Sequence, residues 1–250
     1  MKRILTALCM SLSTFTAIPC PYRPFDEEAR PLAVVCLPIV GAVVGLLWYL
    51  LALLGMRWLS AIRGALVVVL PWLLTGFMHL DGFMDTADAL LSWRPLEQRL
   101  RILKDPHAGA FSIIALAVLA LVSYDAMLGV SPAEDLRVLL FIPIVSRCGS
   151  AFSVLTLPAI NSSEYAKSEG TSAQRLAVLC MWALALLFCG LWLRGQIVVL
   201  LVETLVYAAA MFWGDRVLKG VSGDVAGFAL SIAECAGLVA LGSLFGASWF

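Results

Sequence analysis

The stretch Gly64–Leu80, GALVVVLPWLLTGFMHL, runs without an acidic or basic side chain other than His79. Asp81–Asp88, DGFMDTAD, follows at once and carries three carboxylates. An apolar run of this length marks a helix that crosses a bilayer. On a helix turning about 100° per residue, Asp81, Asp85 and Asp88 fall within about 60° of one another over about 10 Å of axis. They form one acidic stripe. Like charges so close repel, and one or two divalent cations between them reverse that penalty. Mg²⁺ keeps several waters, takes a few carboxylate oxygens and bridges to substrate phosphates, so the stripe points to phosphate chemistry at a membrane surface. A solvated helix end is the plainer alternative, and it explains one or two carboxylates more readily than three on one face.

The rest of the chain suits that membrane setting. Of its 250 residues, 62% are hydrophobic and 14% charged, and the mean hydropathy is +0.95. A soluble domain carries about 25% charge. About seven apolar segments are long enough to cross the ~30 Å hydrocarbon core. They cover roughly 32–54, 64–80, 108–130, 136–158, 176–193, 196–214 and 225–247. The expected fold is all-α, a polytopic membrane bundle, and no intervening stretch is large enough to fold alone. Residues 1–250 therefore read as a single membrane-embedded catalytic domain. Ile4–Ile18 is apolar but short, and it stops at Pro19-Cys20-Pro21. It reads as a half-spanning or re-entrant helix. A cleaved signal peptide beginning at Lys2-Arg3 is the alternative, although Ile18-Pro19 makes a poor cleavage site.

Basic residues orient the bundle. Arg23, Arg30, Arg94, Arg99, Arg101, Lys104, Lys167, Arg175, Arg216 and Lys219 lie in the connections on the side of the stripe, against Arg57, Arg63, Arg137 and Arg194 opposite. The stripe is thus expected on the cytoplasmic side of the inner membrane. Net formal charge is zero, which gives no broad attraction to nucleic acid. The seven cysteines lie mostly in apolar runs without C-x-x-C spacing and read as small hydrophobes.

Asp125, Arg147, Glu203 and Glu234 fall inside the expected spans, where each costs at least about 2.5 kcal/mol unless paired or facing water. Arg147 keeps its charge, and either holds a phosphate bidentately or pairs with an acidic neighbour. Asp125 reads as a structural residue near a helix end, and Glu234 as a packing or supporting residue deeper in the membrane. Lys104, Asp105 and His107 occupy a basic connection ending at Gly109, as suits charge developing on phosphate oxygens or a solvated cytoplasmic loop. His79 is a candidate for bonding an adjacent carboxylate or carrying a proton, against a polar interface role. The turn Lys219–Gly227, KGVSGDVAG, offers glycines for close backbone approach, a fourth carboxylate in Asp224 and a helix start that favours phosphate. Ser222 and Gly223 are its substrate-binding candidates.

Several strings together resemble the cobalamin synthase family, the adenosylcobinamide-GDP ribazoletransferases. They are Phe15-Thr16 through Ile18-Pro19, Pro38 with Gly41 and Gly45, His79–Asp88, Leu103-Lys104-Asp105 with Gly109, Arg147, Tyr165 through Gly170, and the SGD turn ending at Gly227. The resemblance implies an integral inner-membrane enzyme that uses Mg²⁺ in the last stage of cobalamin assembly. Adenosylcobinamide-GDP would be joined to α-ribazole or its 5′-phosphate, with release of GMP. On that expectation Asp81, Asp85, Asp88 and Asp224 hold the metal, while His79, Arg147, Lys167, Ser222 and Gly223 contact substrate. Lys104 steadies the charge on the departing GMP, and either Asp88 or Asp105 accepts the hydroxyl proton. A homo-oligomer or an association with other corrinoid-assembly enzymes is compatible with the sequence. Ala17 stands where the family pattern has an arginine, and Pro106-His107-Ala108 replaces a more usual Ser-Arg with a branched residue, so two cationic contacts are altered. A transporter and a CDP-alcohol phosphotransferase are the rival classes. The first expects a midplane site and inverted repeats, and the second an Ala-Arg pair where this chain has Met84-Asp85-Thr86.

Overall fold

The computed structural model describes residues 2–20, 22, 26–55, 59–130, 135–160 and 170–245. Eleven α-helices occur among them. They are α1 (Lys2–Phe15), α2 (Arg30–Val35), α3 (Leu37–Leu54), α4 (Ser60–Leu74), α5 (Met78–Leu91), α6 (Leu96–Ile102), α7 (Ala110–Leu128), α8 (Ile142–Thr156), α9 (Ser172–Leu193), α10 (Ile197–Leu218) and α11 (Gly223–Phe245). Apart from an isolated bridge between Ala159 and Val221, no strand pairing occurs among the described residues. The chain is an all-α polytopic membrane protein. Among the described residues, five helical stretches are long and apolar enough to cross a bilayer, or six if one bent pair is counted as a span.

One of the five, Ser172–Leu218, is 47 residues long, far more than a single crossing needs. It is broken at Arg194–Gln196, where Arg194 takes φ 41°. Three contacts show that its arms run antiparallel. The Gly170 N–H donates to Leu155 O, placing the start of α9 beside the end of α8, and the Ile160 N–H donates to Val221 O just beyond α10. At the far end, Gln196 Nε2 donates to Asp135 O beside the start of α8.

The run 64–80, expected to be one span, is instead divided into α4 and α5, which meet at 94°. The cause is local. Pro71 lies within α4, and Gly76 and Phe77 both take left-handed conformations with φ 60° and 62°. The Gly76 N–H donates to Leu73 O and the Phe77 N–H to Trp72 O, which is the Schellman arrangement that ends a helix. The Ala17 N–H donates to Leu74 O, so the residues after α1 cap another carbonyl left free by the break. The 32–54 segment is likewise divided at Cys36, with Pro38 in the first turn of α3, a position that Pro tolerates. Helix α1, at 14 residues, is about 21 Å long and shorter than the hydrocarbon core. Its start is tied to Glu28 by the Arg3 guanidinium, while its far end reaches the α4–α5 break.

Helix α11 is the central element. It packs against α5, α7, α8 and α10, and 13 residues along its length are buried. Apolar side chains gain nothing by leaving lipid for one another, so helices associate through close packing and small residues. Gly227 supplies this at the α5 contact, where a Cβ would come within 3.0 Å of His79 O.

Candidate active site

Helix α5 carries Asp81, Asp85 and Asp88 on the face the sequence predicts, with Asp81 exposed and the other two half-buried. Asp224 joins them from the first turn of α11. The crossing is made possible by Gly82, whose missing Cβ would lie 2.7 Å from the Asp224 Cα. As a result Asp85 is faced electrostatically by Asp81, Asp224 and Asp88, and Asp224 by Asp81. Four carboxylates on two helices are brought to one end of the bundle. Ion pairs to any of them are absent among the described residues.

Two helix starts flank this cluster. The Ser222 Oγ accepts from the Val225 N–H at 3.3 Å and so caps α11, and it donates to Asp224 Oδ2 at 3.3 Å. On the other side the Asp88 carboxylate occupies the space where Gly109, just before α7, would carry a Cβ. Both α7 and α11 are long, so each start presents unpaired N–H groups and the positive end of a helix dipole. That field favours anions at the site.

Hard oxygen donors of this kind suit Mg²⁺. Among the described residues, however, no group of three or more His, Cys, Asp or Glu side chains is gathered tightly enough to hold a metal by itself. The open arrangement agrees with how Mg²⁺ binds, through one or two carboxylates plus waters and substrate phosphates rather than in a protein cage.

The remaining predicted residues divide into those near the cluster and those apart from it. Gly223 is exposed at the start of α11, beside Ser222. His79 lies one turn before Gly82 on α5, beside Gly227 and Ser231 of α11, its ring stacked with Phe15 at 6.3 Å and 11°. Its backbone oxygen accepts from Ser231 Oγ at 3.4 Å, and its Nε2 is buried without a partner. Lys104 and Asp105 occupy an exposed turn after α6, where Asp105 Oδ1 accepts from the His107 N–H at 3.0 Å and lies 2.8 Å from Nδ1. The His107 hydrogen bonds hold the Asp105 carboxyl below the usual carboxylate range. No described hydrogen bond or ion pair joins this turn to the stripe. Lys167 lies outside the described residues.

Arg147, left open between a phosphate and an acidic neighbour, takes the acidic neighbour. It is 1% exposed, and its Nη1 donates to Glu234 Oε1 at 2.7 Å, Pro143 O at 3.2 Å and Ser146 Oγ at 3.3 Å. Ser146 Oγ also donates to the same Glu234 oxygen at 2.9 Å. Glu203, fully buried on α10, faces Glu234 and Arg147 electrostatically. This second charged group therefore belongs to the bundle interior rather than to the acidic end. Sequence reasoning missed Gly82 and Gly109 as the positions that admit the carboxylates. Gly82 sits inside DGFMD, yet only the packing of α5 on α11 gives it a role.

A family model, cobalamin-5-phosphate synthase, matches residues 7–242. Among curated relatives, the adenosylcobinamide-GDP ribazoletransferase of Clostridium perfringens strain 13 is 37% identical over 97% of this chain and 99% of its own length. That of Clostridium botulinum strain Alaska E43 is 35% identical over 95% and 97% respectively. The enzyme of the same name from Brevibacillus brevis is 29% identical over 95% and 98%. No solved structure matches the chain. With nearly its whole length covered by the family model and by relatives above 30% identity, the chain belongs to the cobalamin-5-phosphate synthase family.

Proposed function

We propose that the chain transfers the adenosylcobinamide-phosphate group of adenosylcobinamide-GDP to α-ribazole or its 5′-phosphate at the cytoplasmic face of the inner membrane. The observation that carries this reading is the meeting of Asp81, Asp85 and Asp88 with Asp224 beside two helix starts. Those four carboxylates would hold Mg²⁺, which when bound supplies positive charge against the diphosphate. The N–H groups at the start of α11, next to Ser222 and Gly223, bind non-bridging phosphate oxygens and orient the diphosphate.

A secondary ribose hydroxyl, free in both acceptor forms, attacks the phosphorus on the cobinamide side. A new P–O bond forms there, the bridging P–O bond breaks, and GMP departs with the electron pair. Asp88 is favoured over Asp105 as acceptor of the hydroxyl proton, because it lies on the stripe while Asp105 is engaged by His107. Lys104, on the exposed turn after α6, would neutralise charge on the departing GMP. The excess of Lys and Arg in the connections at this end supports a cytoplasmic site.

The test is a product assay on purified protein with both ribazole forms, with and without Mg²⁺. GMP release that needs the metal and the acceptor supports the proposal. Release of CMP from a CDP-activated alcohol instead, or no turnover with either acceptor, overturns it.

A further inference from the structure

On another face of α5 than the acidic stripe, a groove of about 400 Å³ runs between α5, α7, α10 and α11. Helix α5 contributes Phe83, Ala87 and Leu91, one turn apart, whereas Asp81, Asp85 and Asp88 project about 120° away around the same helix. The Phe228 ring stacks on Phe83 at 5.6 Å and meets Trp213 at 5.9 Å, which joins α5, α10 and α11 in one aromatic wall. The lining exposes no polar surface. It extends from Ile114 to Val122 along α7 and from Phe228 to Cys235 along α11, about 6 to 18 Å beyond the starts of both helices. Half of the hydrocarbon core is about 15 Å, so the groove lies mostly within one leaflet, that of the acidic end. Ile114, Val118 and Val122 are exposed on a membrane span, so the groove opens to lipid. The rim nearest the acidic end is basic. Arg94 lies one turn's length of chain past Leu91, and Arg216 one turn past Trp213; both are exposed, and neither is in an ion pair among the described residues. Arg216 stands over the Phe212 ring at 5.4 Å. Helix α6 packs on both α5 and α10, which draws the segment carrying Arg94 toward the end of the helix carrying Arg216.

We propose that this groove holds one acyl chain of an anionic phospholipid from the leaflet of the acidic end, with Arg94 and Arg216 on its headgroup phosphate. The inference goes beyond the transfer reaction and does not depend on it. A concave apolar surface facing hydrocarbon does not stay empty, because a void forfeits the dispersion contacts of its lining. A flexible chain follows such irregular walls. A helix from a second copy does not, since spans associate through small residues that let backbones approach, and here Ile114, Val118, Val122 and Trp213 stand at the mouth. Bulk lipid supplies chains of every kind, so the headgroup decides which lipid stays. Each Lys or Arg near the surface attracts an anionic lipid, and a guanidinium bonds phosphate bidentately. Trp93 is exposed beside Arg94, and Trp at a membrane interface sits at headgroup level. A chain seated against Phe83, Ala87 and Leu91 supports from behind the helix that carries the three carboxylates.

The test uses the full-length protein, delipidated in detergent and titrated with phosphatidylglycerol and, separately, with phosphatidylcholine of the same chains, the first bound lipid being read by native mass spectrometry. No turnover is needed. The wild-type protein should bind its first phosphatidylglycerol about tenfold or more tightly than phosphatidylcholine. Arg94→Gln together with Arg216→Gln should bring phosphatidylglycerol to the phosphatidylcholine level and leave the latter unchanged; both positions are exposed, so the core is untouched. Val118→Trp fills the groove from a position that is 56% exposed, and it should weaken both lipids by about tenfold or more. The proposal is overturned if the wild-type protein binds the two lipids equally, if the paired arginine change leaves the preference intact, or if Val118→Trp leaves both affinities unchanged. Displacement of the lipid by inorganic phosphate would show an anion site that needs no chain, and conversion of a dimer to a monomer by Val118→Trp with lipid binding intact would show a contact between copies; either result overturns it as well.

Discussion

The chain gathers charge in two places, and they are built in opposite ways. Inside the bundle, Arg147 answers Glu234 directly, Ser146 bonds the same carboxylate oxygen, and Glu203 stands alongside. At the end of the bundle, Asp81, Asp85, Asp88 and Asp224 face one another with no cationic side chain paired to them among the described residues. Burial explains the contrast. An isolated charge in a low-dielectric interior is so unfavourable that the fold supplies its own counter-charge. At the membrane edge water screens the repulsion, so the counter-charge can be left to a ligand. The inner cluster therefore holds α8 against α11, whereas the outer one is left without a protein counter-charge, as the proposed transfer requires.

Removing charge should separate the two most sharply at the outer cluster. Asp85→Asn, at the centre of the carboxylates, should lower kcat by about 10³-fold while expression, membrane insertion and melting temperature stay near wild type. A stable enzyme with near-normal turnover would break the distinction.

The inner cluster should behave conversely. Arg147→Met alone leaves Glu234 buried without its partner and should destabilise by about 3–5 kcal/mol, measured by reversible unfolding in detergent. The double change Arg147→Met with Glu234→Leu should recover most of that loss. If the single change left stability intact but raised the KM for the GDP-activated donor, Arg147 would belong to the site after all.

Gly82→Ala tests the joint between the regions. Its Cβ would lie 2.7 Å from the Asp224 Cα, so α5 and α11 must separate. A displacement of this order costs about 10²-fold in rate, seen as a fall in kcat with little change in acceptor affinity.

The smallest effect is expected at the Asp105–His107 pair. Because the Asp105 pKa is depressed in the folded protein, any stabilisation from the pair is present above about 3.9, the ordinary Asp value, and is lost as pH falls through the folded value. His107→Ala should return Asp105 toward that ordinary value in an NMR titration. The acid limb of the activity profile should not move, as expected if Asp88 takes the proton. A shift of that limb in step with Asp105 would transfer the role to Asp105.

What was legible in the sequence follows from what each feature depends on. The stripe on α5 is a matter of helical periodicity within eight residues, and the sequence states it fully. Asp224 could be assigned to the same membrane side by counting spans, although the contact through Gly82 needs the fold. The partner of Arg147 lies 87 residues away, and no local pattern chooses between a phosphate and a carboxylate there. The 94° break was hidden because Gly76 sits in a run whose composition reads as continuous membrane helix. Its signals were that glycine, at the C′ position, and Pro71 before it. The Lys104–Asp105 turn looked close to the site because Gly109 follows it, yet proximity in sequence does not fix where an exposed turn points.

If Asp81, Asp85, Asp88 and Asp224 act together on a divalent cation, titration with Mn²⁺, followed by electron paramagnetic resonance in the presence of GDP, reads that binding directly. The wild-type protein should bind the ion in a GDP-dependent manner, and Asp85→Asn and Asp224→Asn, one on each helix, should each weaken that binding by about tenfold or more. Undiminished Mn²⁺ affinity in both variants would contradict it.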